Sequence, residues 1–182
     1  VAKVVGLAAT GVPPEWDLML IHDAGHATLW LRKLHKPFDY RKLDIDPGVI
    51  RFDSGTISFA NQFALPAYNK KMLPAKDAPK SWEDLLDPKW KGGKLGMSTA
   101  THHLARLATA WGETKTTEFV KALAGQQPFL GTLQELSTRL LIGEIQVAIT
   151  HLDEFIHQAK VTGAPIVFAE EVQPVISPTL NA

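Results

Sequence analysis

Hydroxyl, imidazole and carboxylate side chains follow four predicted strands, each at the point where a helix is expected to begin. The four segments read "IHDAGH" (21–26), "STATHH" (98–103), "LGTLQE" (130–135) and "ITHLDE" (149–154). In open α/β sheets, ligands gather beyond the carboxyl ends of the strands. Free backbone N–H groups and the positive end of the helix dipole favour an anion or a carbonyl-bearing ligand there. The sequence therefore predicts a site that captures a small polar solute.

Ten polar residues are candidate ligands of this solute: nine lie at or just beyond the ends of predicted strands, and Asn61 lies within the strand predicted at 56–65. The hydroxyls can donate hydrogen bonds to a solute, but Ser and Thr are also preferred helix N-caps, and capping alone would explain each of them. Both interpretations stay open at this point. The ten candidates are His22, Asp23, Asn61, Ser98, Thr99, Thr101, His102, Thr132, His151 and Asp153.

Metal and enzyme chemistry are weaker interpretations of the same residues. His22 and His26 have the spacing of a helical metalloprotease pair, but a strand is predicted directly before His22, and Gly25 interrupts the pattern. A metal held between segments by imidazole and carboxylate is more credible. The candidate ligands are His22, His26, His102, His103, His151 and Asp153. The sequence contains no G-x-S-x-G elbow, Walker loop or G-x-G-x-x-G motif. We therefore expect a binding protein without a cofactor rather than an enzyme.

Composition excludes several other classes of function. Lys plus Arg and Asp plus Glu balance at 19 each in 182 residues, so no net charge attracts nucleic acid, and no nucleic-acid partner is expected. The absence of cysteine excludes disulfides, thiolate nucleophiles and Cys-ligated zinc. No apolar run reaches the roughly 18–20 residues needed to span a bilayer.

The elements that position the candidate residues alternate between strand and helix, which predicts an α/β sheet with right-handed crossovers. Ser81 with Asp84 and Thr132 with Glu135 are spaced as N-terminal capping boxes. Trp82 and Trp90 are expected to fix the loop before the strand at 94–98 by core packing. The strands are predicted at 16–21, 49–52, 56–65, 94–98, 127–130, 145–149 and 165–169. Helices are predicted at 82–86, 117–125 and 151–163, and three further helices are predicted to begin at 24, to end at 111 and to begin at 133.

One long segment resembles a known family. "LPAYNKKMLPAKDAPKSWEDLLDPKWKGGKLGM" (65–97) is similar to the crossover segment of bacterial ABC-transporter extracellular solute-binding proteins, in the branch of the ferric-iron and polyamine binders. "LSTRLLIGEIQVAI" (136–149) resembles a helix and strand of the same family. The resemblance begins near Trp16 and is most specific over 68–92.

The resemblance implies a periplasmic-binding-protein-like (type II) clamshell that holds a small polar, anionic or metal solute in its interlobe cleft and passes it to a membrane ABC permease. It implies a fragment: residues 1–64 as a partial first lobe and hinge strand, 65–170 as a nearly complete second lobe, and 171–182 as the return crossover. A periplasmic or extracellular location follows, with a lipid anchor as an option. We expect such a fragment to self-associate. An enzyme or a ligand-sensing domain on the same fold is the alternative.

The sequence departs from the ferric-binding pattern at one place. Ferric-binding members of the family have adjacent tyrosines just after the strand equivalent to 145–149, whereas this sequence has "THLDEF" (150–155). His151 and Asp153 would suit a softer divalent metal, and an organic or oxyanion solute is the other option.

Overall fold

The computed structural model of the chain divides into two compact units. Unit 1 comprises Val1–Asn61 together with the strand Thr179–Asn181, and unit 2 comprises Gln62–Ser177. The structure describes every residue except 14, 100, 152–156, 158, 178 and 182, and it describes only the backbone of 101, 102, 150, 151 and 179–181. Each unit is built around one β-sheet.

Unit 2 contains a five-stranded mixed sheet in the order β6-β5-β7-β4-β8. Strand β5 is parallel to both β6 and β7, whereas β4 is antiparallel to β7 and β8. The parallel part of the sheet therefore has its carboxyl ends along one edge. The strands are β4 (Ala64–Asn69), β5 (Leu95–Ser98), β6 (Phe129–Gly131), β7 (Val147–His151) and β8 (Ile166–Phe168).

Apolar side chains cover both faces of this sheet. Strand β7 sends Val147 and Ile149 into one buried cluster and Ala148 into another, as the two-residue period of a strand requires. Helix α5 (Leu133–Ile142) covers the second face with Leu136 and Leu140, which are fully buried. Helix α4 (Glu113–Ala124) covers the first face.

The loop between β4 and β5 is held by two buried tryptophans, which confirms the prediction for them. Trp82 and Trp90 are 0% and 1% exposed. The indole N–H of Trp82 donates to the Pro174 carbonyl at 2.9 Å, and that of Trp90 donates to the Asp84 carbonyl at 2.9 Å. The Ser81–Asp84 box forms, but the turns that follow it, Glu83–Leu86 and Pro88–Trp90, are 3₁₀ helices.

Unit 1 contains a four-stranded sheet of short strands in the order β1-β9-β3-β2. The strands are β1 (Ile21–His22), β2 (Ile50–Arg51), β3 (Thr56–Asn61) and β9 (Thr179–Asn181), and the helices are α1 (Ala2–Ala9) and α2 (Asp23–Leu31). Short 3₁₀ helices at Tyr40–Leu43 and Pro47–Val49 connect α2 to β2.

Three predicted elements differ from the structure. The predicted strand at 16–21 is wrong: only Ile21 and His22 pair with β9, and Leu18 and Leu20 are exposed. The strand predicted at 56–65 splits at Gln62, because its halves β3 and β4 pair in different sheets. The single helix predicted to end at Trp111 is in fact two elements: a 3₁₀ helix at Thr101–Leu107 and the short helix α3 (Ala108–Trp111).

The predicted helix at 151–163 is confirmed in part: residues 157 and 159–162 are helical, whereas His151 ends β7, and residues 152–156 and 158 lie outside the described part of the chain. No helix in the described part of the chain combines the length and the apolar character needed to cross a membrane.

Candidate functional site

The carboxyl ends of β6, β5 and β7 form one polar edge in unit 2. These strands are parallel neighbours, so the residues that follow them lie along the same side of the sheet. The backbone N–H of Thr99, just after β5, donates to the carbonyl of Gly131, the last residue of β6, at 3.1 Å. This bond joins two of the four segments that the sequence singles out.

The candidate residues along this edge differ in exposure. Ser98 is the last residue of β5 and is buried, with 5% of its surface exposed, whereas Thr99 is exposed. For Thr101, His102 and His151 the structure gives backbone positions only, and Asp153 lies outside the described residues. The structure therefore brings Ser98, Thr99 and Thr132 to one edge, with His151 at the end of the neighbouring strand β7.

Thr132 has a defined structural task at this edge. Its hydroxyl accepts a hydrogen bond from the Glu135 N–H at 3.2 Å, and the Glu135 carboxylate accepts from the Thr132 N–H at 2.7 Å and from its hydroxyl at 2.9 Å. This reciprocal capping box satisfies two of the free donors at the start of α5. The same hydrogen bonds lower the pKa of the Glu135 carboxyl, the one from the Thr132 backbone most.

The other candidates lie in unit 1, at the starts and ends of short elements. His22 occupies the N-cap position of α2, where its side chain makes no capping bond. The Asp23 carboxylate accepts from the Ala24 N–H at 2.8 Å, and Asn61 ends β3. Their role in solute binding stays a prediction.

One imidazole pair in the described part of the chain has no signal in the sequence. His26 on α2 and His35, beyond the end of that helix, share a hydrogen bond of 3.0 Å between Nδ1 and Nε2. Both rings contact Phe52, with centroid distances of 6.3 and 6.0 Å. Burial lowers the pKa of the His35 imidazole, and the proximity of His26 lowers it further. No sequence spacing predicts this pair, because His35 lies beyond the end of α2 and approaches His26 only through the fold of the segment that follows the helix.

A metal site is not formed by the residues whose side chains the structure describes. Among them, no three histidine, aspartate or glutamate side chains lie close enough together to hold a metal ion. The predicted candidates His151 and Asp153 fall outside that set, so their role in metal binding stays a prediction.

Solved structures with the same fold are binding proteins of the type II periplasmic class. Iron-bound HitA from Pseudomonas aeruginosa has a TM-score of 0.76 at 16% identity, and the match covers 98% of this chain and 62% of that one. The ferric binding protein from Campylobacter jejuni has a TM-score of 0.78 at 15% identity, covering 99% of this chain and 63% of that one. The periplasmic binding protein AfuA from Actinobacillus pleuropneumoniae, solved with fructose-6-phosphate, has a TM-score of 0.69 at 20% identity, covering 98% and 61%.

The chain thus spans about three fifths of the length of these structures. No curated protein sequence matches it significantly. The sequence model of the bacterial extracellular solute-binding proteins, however, matches residues 37–168, which is well over half of the chain. These residues include β4 to β8, α5 and the polar edge described above. The chain therefore belongs to the bacterial extracellular solute-binding protein family.

Proposed function

We propose that this protein captures a small polar solute outside the cytoplasm, as the binding component of an ABC importer, and delivers it to a membrane permease. The observation that carries the proposal is the polar edge of unit 2. Ser98, Thr99 and Thr132 lie at the ends of adjacent parallel strands, which is where open α/β sheets place their ligands.

The family and the fold support binding rather than catalysis. Two of the similar structures are named as binding proteins. The described residues of the polar edge supply hydroxyl groups and backbone N–H groups, which suit hydrogen bonding to a solute. The ligands named for the similar structures range from iron to fructose-6-phosphate, so the fold alone does not select the solute.

A binding panel tests the proposal. Thermal unfolding of the chain is measured with ferric and divalent metals, sugar phosphates, inorganic oxyanions, polyamines and amino acids, and each positive result is followed by calorimetry. A solute at one hundred times its Kd stabilises the folded chain by about 2.7 kcal/mol, which a melting curve resolves. If no member of the panel raises the melting temperature, the proposal loses its support.

Two matched substitutions locate the binding. Thr99→Ala removes an exposed hydroxyl at the polar edge, and Thr117→Ala removes an exposed hydroxyl from the middle of α4 in the same unit. We expect Thr99→Ala to weaken binding of the identified solute and Thr117→Ala to leave it unchanged. Equal affinity in both variants would place the site elsewhere in the protein.

A further inference from the structure

One end of unit 2 carries lysines from three separate segments of the chain. Strand β4 ends at Asn69, and β5, β7 and β8 begin at Leu95, Val147 and Ile166, all at this end of the sheet. Exposed lysines lie close in the chain to these positions, and we call this end of unit 2 the basic end. The lysines are Lys70, Lys71, Lys91, Lys94 and Lys160.

Backbone hydrogen bonds connect the segments that form the basic end. The Lys94 carbonyl accepts from the Gln146 N–H at 2.7 Å, and the Lys70 N–H donates to the Pro165 carbonyl at 2.9 Å. The lysines therefore project from the packed part of unit 2 and share one surface.

The charge of the basic end is unbalanced, although the whole chain has equal numbers of basic and acidic residues. The segments that form it, which are 69–73, 91–95, 139–146 and 159–165, contain six basic residues and one acidic residue, Glu144. Glu144 pairs with the sixth basic residue, Arg139. The five lysine ammonium groups form no ion pair with any residue that the structure describes. Charges of one sign in such a cluster create a positive local potential, which attracts an anionic partner.

Exposed apolar side chains lie next to these lysines. Met72, Ile142 and Val161 are each more than half exposed. Met72 packs against Gly143, the residue after Ile142, where a Cβ atom would collide with the methionine sulfur. Aliphatic groups flanked by lysines suit the boundary between the headgroups and acyl chains of a bilayer, because the apolar groups enter it while the ammonium groups stay at the polar surface.

The residue types favour a lipid surface over an acidic protein. All five unpaired cations are lysines, which act as point charges on flexible stems, whereas arginine offers a planar fork for one particular carboxylate or phosphate. Protein interfaces are depleted of lysine and take most of their binding energy from Trp, Tyr and Arg. The four segments contain no Trp or Tyr, and their one arginine is the paired Arg139. The basic end is thus suited to a diffuse layer of negative charge.

We propose that the basic end of unit 2 docks on a bilayer that contains anionic phospholipid. The polar edge lies at the other ends of the same strands, about 13 Å away along β7, so docking leaves that edge accessible. The docking surface is separate from the candidate solute site, and the proposal does not depend on the identity of the solute.

Sedimentation with extruded vesicles tests the proposal. The chain is mixed with vesicles of phosphatidylcholine alone and with vesicles of equal parts phosphatidylcholine and phosphatidylglycerol. We expect binding to the mixed vesicles at about 0.1 M salt and loss of most of it at about 1 M salt, because the screening length falls from about 10 Å to about 3 Å. Equal binding to the two kinds of vesicle would overturn the proposal.

Two double substitutions locate the docking surface. Lys70→Gln with Lys94→Gln removes two charges from the basic end, and Lys36→Gln with Lys42→Gln removes two exposed charges from unit 1 as the matched control. Each lysine at an anionic surface changes the partition coefficient by about fivefold, so we expect the first variant to bind about 25-fold more weakly. The control should keep the wild-type affinity. All four side chains are exposed, so both variants should fold, which far-ultraviolet circular dichroism verifies. Equal affinities of the two variants would overturn the proposal.

Polyglutamate, a soluble polyanion, distinguishes a bilayer from an acidic protein partner. Val161→Ser removes an exposed apolar group without a change of charge. We expect it to weaken vesicle binding severalfold and to leave any binding of polyglutamate unchanged. Tight binding of polyglutamate with no binding of the mixed vesicles would indicate an acidic protein partner and overturn the proposal. No solute is present in these measurements, so their outcome is independent of the solute panel.

Discussion

The two units bury their apolar residues to very different extents. Unit 2 has buried clusters on both faces of its sheet, including Trp82, Leu107 and Leu136 at 0% exposure. In the described part of unit 1, only His26, Leu29 and Thr56 are buried. Of the sixteen large apolar residues that are exposed among the described residues, ten lie in unit 1. The stability of unit 2 therefore rests on a packed core, whereas unit 1 depends far more on local contacts.

The difference is visible in single helices. Helix α5 buries Leu136 and Leu140 against the sheet, but α1 has no buried residue although most of its side chains are apolar. Exposed apolar patches of this kind often mark surfaces that contact another chain. Self-association of the chain stays a prediction, which light scattering coupled to size-exclusion chromatography can test.

Replacement of one tryptophan in each unit should give the largest contrast. Trp82→Ala removes a fully buried indole that also contacts Phe119 and bonds to Pro174, so we expect a loss of about 3–5 kcal/mol in the free energy of unfolding. Trp16→Ala removes a side chain that is 44% exposed, and its cost should stay near 0.5 kcal/mol. Urea unfolding followed by far-ultraviolet circular dichroism measures both. Similar losses in the two variants would contradict the contrast in burial.

Replacement of one glycine in each unit should have opposite effects. In Gly96→Ala, the new methyl group on β5 would lie 2.5 Å from Ile145 Cδ1 and 2.7 Å from Leu136 Cδ2, so we expect a destabilisation of about 1–3 kcal/mol. Nothing lies within 4 Å of the corresponding position at Gly6 in α1. Gly6→Ala should therefore raise helix stability, by up to about 1 kcal/mol, through helix propensity.

The same unfolding measurement distinguishes the two glycines. A stabilised Gly96→Ala variant would show that the sheet and α5 can separate at no cost. A destabilised Gly6→Ala variant would show that α1 makes contacts at that position.

Local sequence pattern and structure agree better in unit 2 than in unit 1. In unit 2 the capping box predicted at Thr132 forms, and the predicted packing of Trp82 and Trp90 agrees with their burial, so pattern and structure coincide. In unit 1 the run at 16–21 has the length of a strand and is apolar except for Asp17, yet only its last residue pairs. Local pattern cannot reveal whether a partner strand is available, because pairing is decided by distant residues.

The candidate site shows the limit of spacing arguments. The common edge of Ser98, Thr99 and Thr132 follows from the alternation of strand and helix, because the carboxyl ends of parallel strands share one edge of the sheet. The order of the strands is known only from the structure. The engagement of the Thr132 hydroxyl by Glu135 is also readable, since the capping box has a sequence signature. The His26–His35 pair has none, because its nine-residue separation crosses the end of α2 and gains meaning only from the packing of both rings on Phe52.

Loss of the capping hydroxyl in unit 2 should have a moderate effect. Thr132→Ala removes the acceptor for the Glu135 N–H, so we expect a loss of about 0.5–2 kcal/mol in the free energy of unfolding. Thr117→Ala is the control, because Thr117 is exposed within α4 and is not at a helix start. If solute affinity also falls in Thr132→Ala, the residue contributes to binding as well as to the cap; unchanged affinity would restrict it to the cap.

The smallest expected effect is a dependence of unit 1 on pH. Burial and the proximity of His26 lower the pKa of His35 in the folded chain below its unfolded value of about 6.5. Protonation of His35 is therefore unfavourable in the folded state, and the stability associated with the neutral pair is present above about pH 6.5 and is lost as the pH falls toward the lowered folded value. The Asp53 carboxylate, next to Phe52 in the chain, accepts from the Trp30 indole at 2.8 Å.

Hydrogen-exchange protection factors of the α2 amides, corrected for intrinsic exchange, measure this local stability. We expect them to decrease between pH 7.5 and pH 5.5 in the wild-type chain and to change less in His35→Gln, which cannot titrate at that position. His157→Gln replaces an exposed histidine of unit 2 and should retain the wild-type dependence. Because the protonation of a partly buried, hydrogen-bonded pair is the cause, the decrease should be confined to unit 1. A decrease of equal size in the α5 amides of unit 2 would show that acid destabilises the whole chain, and that the His26–His35 pair is not the group responsible.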